Sequence, residues 1–116
     1  MSKRGSKGSG KKESKAISSD KGLSPCTHVH ARHILCEKQS KILQALAELE
    51  SGKNFPDVAK DYSEDKARHG GDLGWFPRGA MAGPFEEVAF STPVGQRSAP
   101  FKTVHGWHIV YVEGRK

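Results

Sequence analysis

Cysteine is scarce in this sequence: Cys26 and Cys36 are the only two. Two thiols do not make a disulfide framework, so a hydrophobic core must hold the fold. Both are expected to stay reduced, as in an intracellular protein of the cytoplasm or nucleus. Long apolar runs are also missing. No stretch approaches the roughly 18 residues that a membrane-crossing helix needs. The charged N-terminus has no apolar segment behind it, so no secretory signal is expected either. Acidic residues are sparse in one place. Residues 1–27 hold seven Lys/Arg against two Asp/Glu, whereas the rest of the chain holds twelve against eleven. The formal net charge of +6 over 116 residues therefore belongs mostly to the first 27.

That tail is Lys, Ser and Gly with almost nothing to bury, and it is expected to be disordered. Two readings of it stand side by side. One is a solubilising tail. The other is an electrostatic arm that holds DNA or RNA through phosphates, without sequence preference and with strong salt dependence. It has no aromatic residue on which to stack single-stranded bases. Residues 28–116 then form one domain, expected to act as a monomer.

The folded part reads as a strand over His28–Cys36 and a helix over Glu37–Gly52, with Ile42, Leu43, Ala45, Leu46 and Leu49 on one face. A second helix is capped by Asn54 and buries Val58, Ala59 and Tyr62. A helical turn over 66–69 and a short strand over Asp72–Phe76 follow. A third helix opens at Gly83-Pro84 and turns Phe85, Val88, Ala89 and Phe90 inward. Strands over Ser98–Thr103 and Trp107–Val112, joined by a tight turn, close the chain as a hairpin. This order predicts an α+β domain with helices on a small, mainly antiparallel sheet.

The densest signal lies at Gly70–Phe85, which packs five glycines and two prolines among Leu73, Trp75, Phe76, Met81 and Phe85. A backbone bent this often while presenting bulky groups makes a curved apolar wall. The six histidines lack the helical spacing of a metalloprotease, there is no Cys-x-x-Cys, and no metal site is expected. His33 and His108 each open an apolar run, and if the first and last strands pair they can meet. The bland reading of that meeting is a hydrogen-bonded core pair. Cys36 and His33 fall on opposite faces of one strand and cannot form a nucleophile–base pair. No Gly-x-Ser-x-Gly elbow and no phosphate-binding loop is present. What remains is an apolar pocket of Leu73, Met81 and Phe85, with Asp65 just upstream and two histidines behind. Such a pocket suits proline isomerisation, which breaks no covalent bond and needs no cofactor. It has only to lower a rotational barrier of roughly 18–20 kcal/mol.

The segments His33-Ile34-Leu35, Tyr62-Ser63-Glu64-Asp65, Gly70–Trp75, Arg78–Met81, Gly83-Pro84-Phe85 and Gly106–Ile109 resemble the motifs of parvulin-type peptidyl-prolyl cis/trans isomerases, in family order. The single-domain layout, without a WW domain, resembles the small eukaryotic parvulin 14 group. The resemblance implies the FKBP-like parvulin fold, a four-stranded sheet surrounded by helices. It implies a catalytic set of His33, His108, Asp65 and Thr103, and a proline pocket of Leu73, Met81 and Phe85 with Phe76 beside it. Asp65 matches the aspartate of the phosphate-independent branch, and no arginine-rich loop follows the first strand. Unphosphorylated Xaa-Pro bonds are therefore the expected substrate, with a basic residue favoured before proline because Glu64 and Asp65 lie nearby. The competing reading is a nucleic-acid- or ribosome-associated protein whose parvulin domain binds proline peptides with little catalysis.

Overall fold

A computed structural model of the chain describes residues 23, 25–66 and 69–116. The disorder expected of the tail, apart from these few residues, and part of the helical turn expected over 66–69 lie outside the described residues. The described elements run β1 (His28–Cys36), α1 (Gln39–Glu50), α2 (Phe55–Tyr62), a tight turn at His69–Gly71, β2 (Asp72–Pro77), α3 (Gly83–Ser91), β3 (Phe101–Thr103) and β4 (Gly106–Arg115). The four strands form one sheet in the order β2-β1-β4-β3, with every neighbouring pair antiparallel. The first and last long strands thus lie side by side at its centre.

Alternation along these two strands builds the core. Val29 and Ala31 of β1 and Val110 and Val112 of β4 face α3, where they meet Phe76, Phe85, Ala89 and Phe90. Ile34, Cys36 and Ile109 face the other way, against Ile42, Ala45 and Leu49 of α1 and Phe55, Val58 and Ala59 of α2. Helices therefore cover both sheet faces, each sealed by its own apolar cluster. Phe90 is wholly buried, and removing a side chain of that kind from water contributes about 1.5–3 kcal/mol.

Several boundaries differ from the sequence-based expectation. The first helix is shorter than Glu37–Gly52: β1 runs to Cys36 and α1 begins only at Gln39. Leu43 is 47% exposed rather than on the buried face. Asn54 occupies the N-cap position of α2, but its side chain makes no capping hydrogen bond. The strand expected over Ser98–Thr103 is regular only from Phe101. Pro100 has no N–H to give a ladder, and residues 95–98 cover the outer edge of β4 with separate bonds, such as Ser98 N–H to the Val110 carbonyl. The final strand starts one residue earlier than Trp107 and runs three beyond Val112.

Candidate active site

The β1–β4 register sets Leu35 opposite His108 and His33 opposite Val110. Residues two apart share a face, so His33 and His108 become diagonal neighbours on the α3 side. Their Nδ1 atoms lie 3.3 Å apart, with the ring planes within 21° of each other and the centroids 5.4 Å apart. His33 is 6% and His108 3% exposed, so each ring nitrogen needs a partner. His33 Nε2 lies 2.9 Å from Asp65 Oδ2, and His108 Nε2 lies 2.8 Å from Thr103 Oγ1. The His105 backbone N–H donates to that same hydroxyl oxygen at 3.1 Å.

Donor–acceptor balance assigns the protons along this chain. The Asp65 carboxylate only accepts, so a neutral His33 donates to it from Nε2 and offers Nδ1 as an acceptor, which in turn leaves His108 Nε2 to accept from the Thr103 hydroxyl. His108 then carries its proton on Nδ1 and donates to His33 Nδ1, and His33 Nε2–H donates to Asp65. Every hydrogen in the sequence Asp65–His33–His108–Thr103 is thereby used once. The assignment needs a neutral His108. Burial, together with the nearby His33 and His105, lowers its pKa from 6.5 to about 4.

How Asp65 reaches His33 follows from the edge of β1. Strand β2 pairs with β1 only as far as Arg32. Beyond that point the edge is taken over by residues 63–64: Leu35 N–H donates to Ser63 Oγ, and Glu64 N–H donates to the Leu35 carbonyl. Ser63 Oγ also accepts from Asp65 N–H. Ser63, 2% exposed, thus serves as a side-chain stitch that delivers Asp65 alongside His33. On the same edge, Gly71 passes so close that a Cβ there would lie 2.1 Å from the His33 carbonyl oxygen.

The apolar side is built from β2, α3 and the turn between them. Pairing skips from Ala31–Gly74 to Arg32–Asp72, leaving Leu73 as the extra residue of a bulge. Such a bulge re-aims a side chain, and Leu73 joins Met81 in packing against the α3-side cluster. Phe85, in the first turn of α3, sets its ring edge-on to both histidines, at 5.7 Å from His33 and 5.3 Å from His108. Phe101 lies nearly parallel to His108 at 5.4 Å and meets Phe85 at 5.9 Å, so the three rings form one cluster. Phe76 lies beside Phe85, with ring centroids 6.3 Å apart, and is buried to nearly the same degree, 3% exposed against 5%.

The structure therefore brings together His33, His108, Asp65 and Thr103, with Phe85 against the histidines and Leu73 and Met81 partly exposed on the same side. Glu64 departs from expectation. Its carboxylate accepts from the Glu37 backbone N–H at 2.9 Å and from Lys41 Nζ at 3.3 Å, so it serves the start of α1 rather than the histidine site. That backbone bond, followed by Lys41, lowers its pKa. Phe101 and Ser63 join the site without having been expected there. Phe101 could have been found from its spacing, two residues before Thr103 on one strand. Ser63 could not, because its role depends on where β2 stops pairing. The Cys36 thiol lies on the opposite face, donates to the Tyr62 carbonyl, and has its pKa pushed up to about 11, mainly by burial. It supplies no nucleophile to the site.

The sequence profile of the PPIC-type PPIase domain, a rotamase family, matches residues 33–114. The peptidyl-prolyl cis-trans isomerase PIN4 of Gibberella zeae is 45% identical over 118 residues, covering 98% of this chain and 89% of its own. The pin4 isomerase of Emericella nidulans is 48% identical, covering 94% of this chain and 93% of its own. Among solved structures, NmPin, the parvulin of Nitrosopumilus maritimus, superimposes with a TM-score of 0.69 at 40% identity, over 78% of this chain and all of its own. PrsA of Bacillus anthracis gives 0.75 at 34% identity, over 78% of this chain and 43% of its own.

Proposed function

This chain belongs to the PPIC-type, or parvulin-type, peptidyl-prolyl cis-trans isomerases, and from that premise we propose how its site works and which substrates it takes. The activity is isomerisation of Xaa-Pro bonds. The observation that carries the mechanism is the hydrogen-bonded row Asp65–His33–His108–Thr103, with the mutually contacting rings of Phe85 and Phe101 packed against His108. Rotation about the Xaa-Pro bond removes the amide resonance, so the twisted state carries less charge separation than the planar one. A dry, apolar surface disfavours the planar amide relative to the twisted one. Leu73, Met81 and Phe85 grip the pyrrolidine ring. The histidine pair is a hydrogen-bonded floor in which His108 stays neutral at neutral pH, so its rings need not reorganise during rotation. Asp65 holds the tautomer of His33 and closes the polar rim. No covalent step is involved.

The substrate is an unphosphorylated Xaa-Pro segment. Support comes from the Asp65 carboxylate, which is 24% exposed at the rim and would repel a phosphate. It also comes from the two-residue link Glu37-Lys38 between β1 and α1, which holds no arginine. With Glu64 engaged elsewhere, any preference for a basic residue before proline rests on Asp65 alone. The test compares proline tetrapeptides carrying alanine, lysine or phosphoserine before proline. The phosphoserine peptide should show kcat/KM at least tenfold below the alanine peptide, a difference of about 1.4 kcal/mol. Equal rates would reject the selectivity. No acceleration of any peptide over its uncatalysed rate would reject the mechanism.

The basic tail is proposed as a phosphate-binding arm for DNA or RNA, supported by its seven Lys/Arg against two Asp/Glu. A monomeric protein of the cytoplasm or nucleus fits that partner, and the described residues contain no disulfide.

A further inference from the structure

On the sheet face turned away from the histidine pair, α1 and α2 cover Ile34, Cys36 and Ile109. Beyond them, towards the other end of the same face, three side chains from three adjacent strands converge: His30 of β1, Asp72 of β2 and Glu113 of β4. His30 Nε2 lies 3.1 Å from Asp72 Oδ1 and 3.6 Å from Glu113 Oε1. One donor atom from each residue lies within 4.8 Å of the other two. None of the three takes part in the proline site. We propose that this triad binds a divalent transition cation of the zinc class.

Spacing is the first argument. A tetrahedral ion with ligands at about 2.0–2.2 Å sets neighbouring donors about 3.3–3.6 Å apart. The two separations at His30 Nε2 bracket that range, and the carboxylate oxygens lie within 4.8 Å of each other. Charge is the second. Two carboxylates converge here, and Arg32 Nε answers one of them, bonding Glu113 Oε2 at 2.8 Å. That bond leaves Oε1 as the oxygen nearest His30, so one negative charge remains for a proton on His30 or for a metal ion to compensate. Anchoring is the third. The Gly74 N–H donates to Asp72 Oδ1 at 2.8 Å, and Trp75 stacks on the His30 ring at 5.3 Å. Contacts of this outer kind hold metal ligands in orientation and sustain affinity. One imidazole with two carboxylates is a donor set for Zn²⁺, Co²⁺ or Ni²⁺, whereas Ca²⁺ and Mg²⁺ take oxygen alone. The three side chains are 27–40% exposed, so water completes the coordination. The ion would tie the ends of β2, β1 and β4 together and leave the isomerase site untouched. Spacing along the sequence could not reveal this, because the residues are 42 and 83 positions from His30 and only the sheet order unites them.

The test titrates zinc chloride into the full-length chain at pH 7.5 by calorimetry, with parallel amide NMR spectra. One equivalent should bind at this site, with shifts centred on His30, Asp72, Trp75 and Glu113. Binding should weaken at pH 5.5, because a proton competes with the metal for Nε2. His30→Gln keeps a hydrogen-bond donor towards Asp72 and should weaken zinc binding tenfold or more, as should Glu113→Gln. Isomerase activity of His30→Gln should match that of the parent, which separates this outcome from any failure of the proline-site mechanism. Absence of saturable binding up to millimolar zinc would overturn the proposal. So would binding that neither substitution weakens, since the ion would then sit on other histidines or on the tail.

Discussion

His108 is the residue on which most of the site's electrostatics turns. It is the middle of the hydrogen-bonded row, and burial keeps it neutral. Its pKa of about 4 in the folded chain lies below the ordinary 6.5. The unfolded chain therefore binds a proton there more readily than the folded one. The resulting stability is fully present above about pH 6.5 and is lost as pH falls towards 4. The whole increment is on the order of 3 kcal/mol. Lowered carboxylates such as Asp72 also lose stability in acid, so the measurement has to be differential. Between pH 7 and 4, denaturant unfolding should show the parent losing roughly this amount more than His108→Leu. The imidazole NMR signals of His108 should stay at their neutral positions from pH 8 down to 5. A titration midpoint near 6.5 would contradict the neutral floor on which the proposed mechanism rests.

At the scale of elements, two glycines of the same stretch separate geometry from conformation. Gly71 and Gly74 both adopt positive φ, 78° and 71°. A Cβ at Gly74 meets nothing within 4 Å, whereas one at Gly71 lands on the His33 carbonyl. Gly74→Ala should therefore cost only the left-handed penalty of about 1–2 kcal/mol and leave activity largely intact. Gly71→Ala adds a backbone displacement, typically another 1–3 kcal/mol. It should also lower kcat/KM by shifting His33. Thermal melts paired with tetrapeptide assays check this, and equal losses for the two variants would refute it. The comparison also shows where sequence reasoning reaches. The span of β1 and the start of α3 at Gly83-Pro84 followed from periodicity and proline placement, both local signals, whereas the meeting of His33 with His108 was legible only on the condition that the first and last strands pair. The bulge that aims Leu73, the Ser63 stitch and the engagement of Glu64 with α1 depend on which backbone edge lies beside which. Composition and period carry no record of that.

On the proposed reading of the basic tail, the whole molecule divides its labour by charge. Residues 25–27 hold no charged side chain, so a cut before Pro25 removes seven basic and two acidic residues and takes the formal charge from +6 to +1. It also spares the Thr27 N–H bond to the Lys116 carbonyl, which ties the start of β1 to the C-terminus. Each element of the proline site lies at or beyond His33. A chain of residues 25–116 should therefore isomerise tetrapeptides within about twofold of the full-length rate, equivalent to ~0.4 kcal/mol. Nucleic-acid affinity should respond in the opposite way. If the tail neutralises Z phosphates, log K falls with log salt at a slope of about −0.9Z, and the truncated chain should show a slope near zero. Measuring both quantities on one truncated protein makes the division falsifiable in two directions. A lost isomerase rate would mean that the tail takes part in the site. A retained salt slope would move the phosphate contacts onto the folded domain, whose nearly balanced charge gives no reason to expect them.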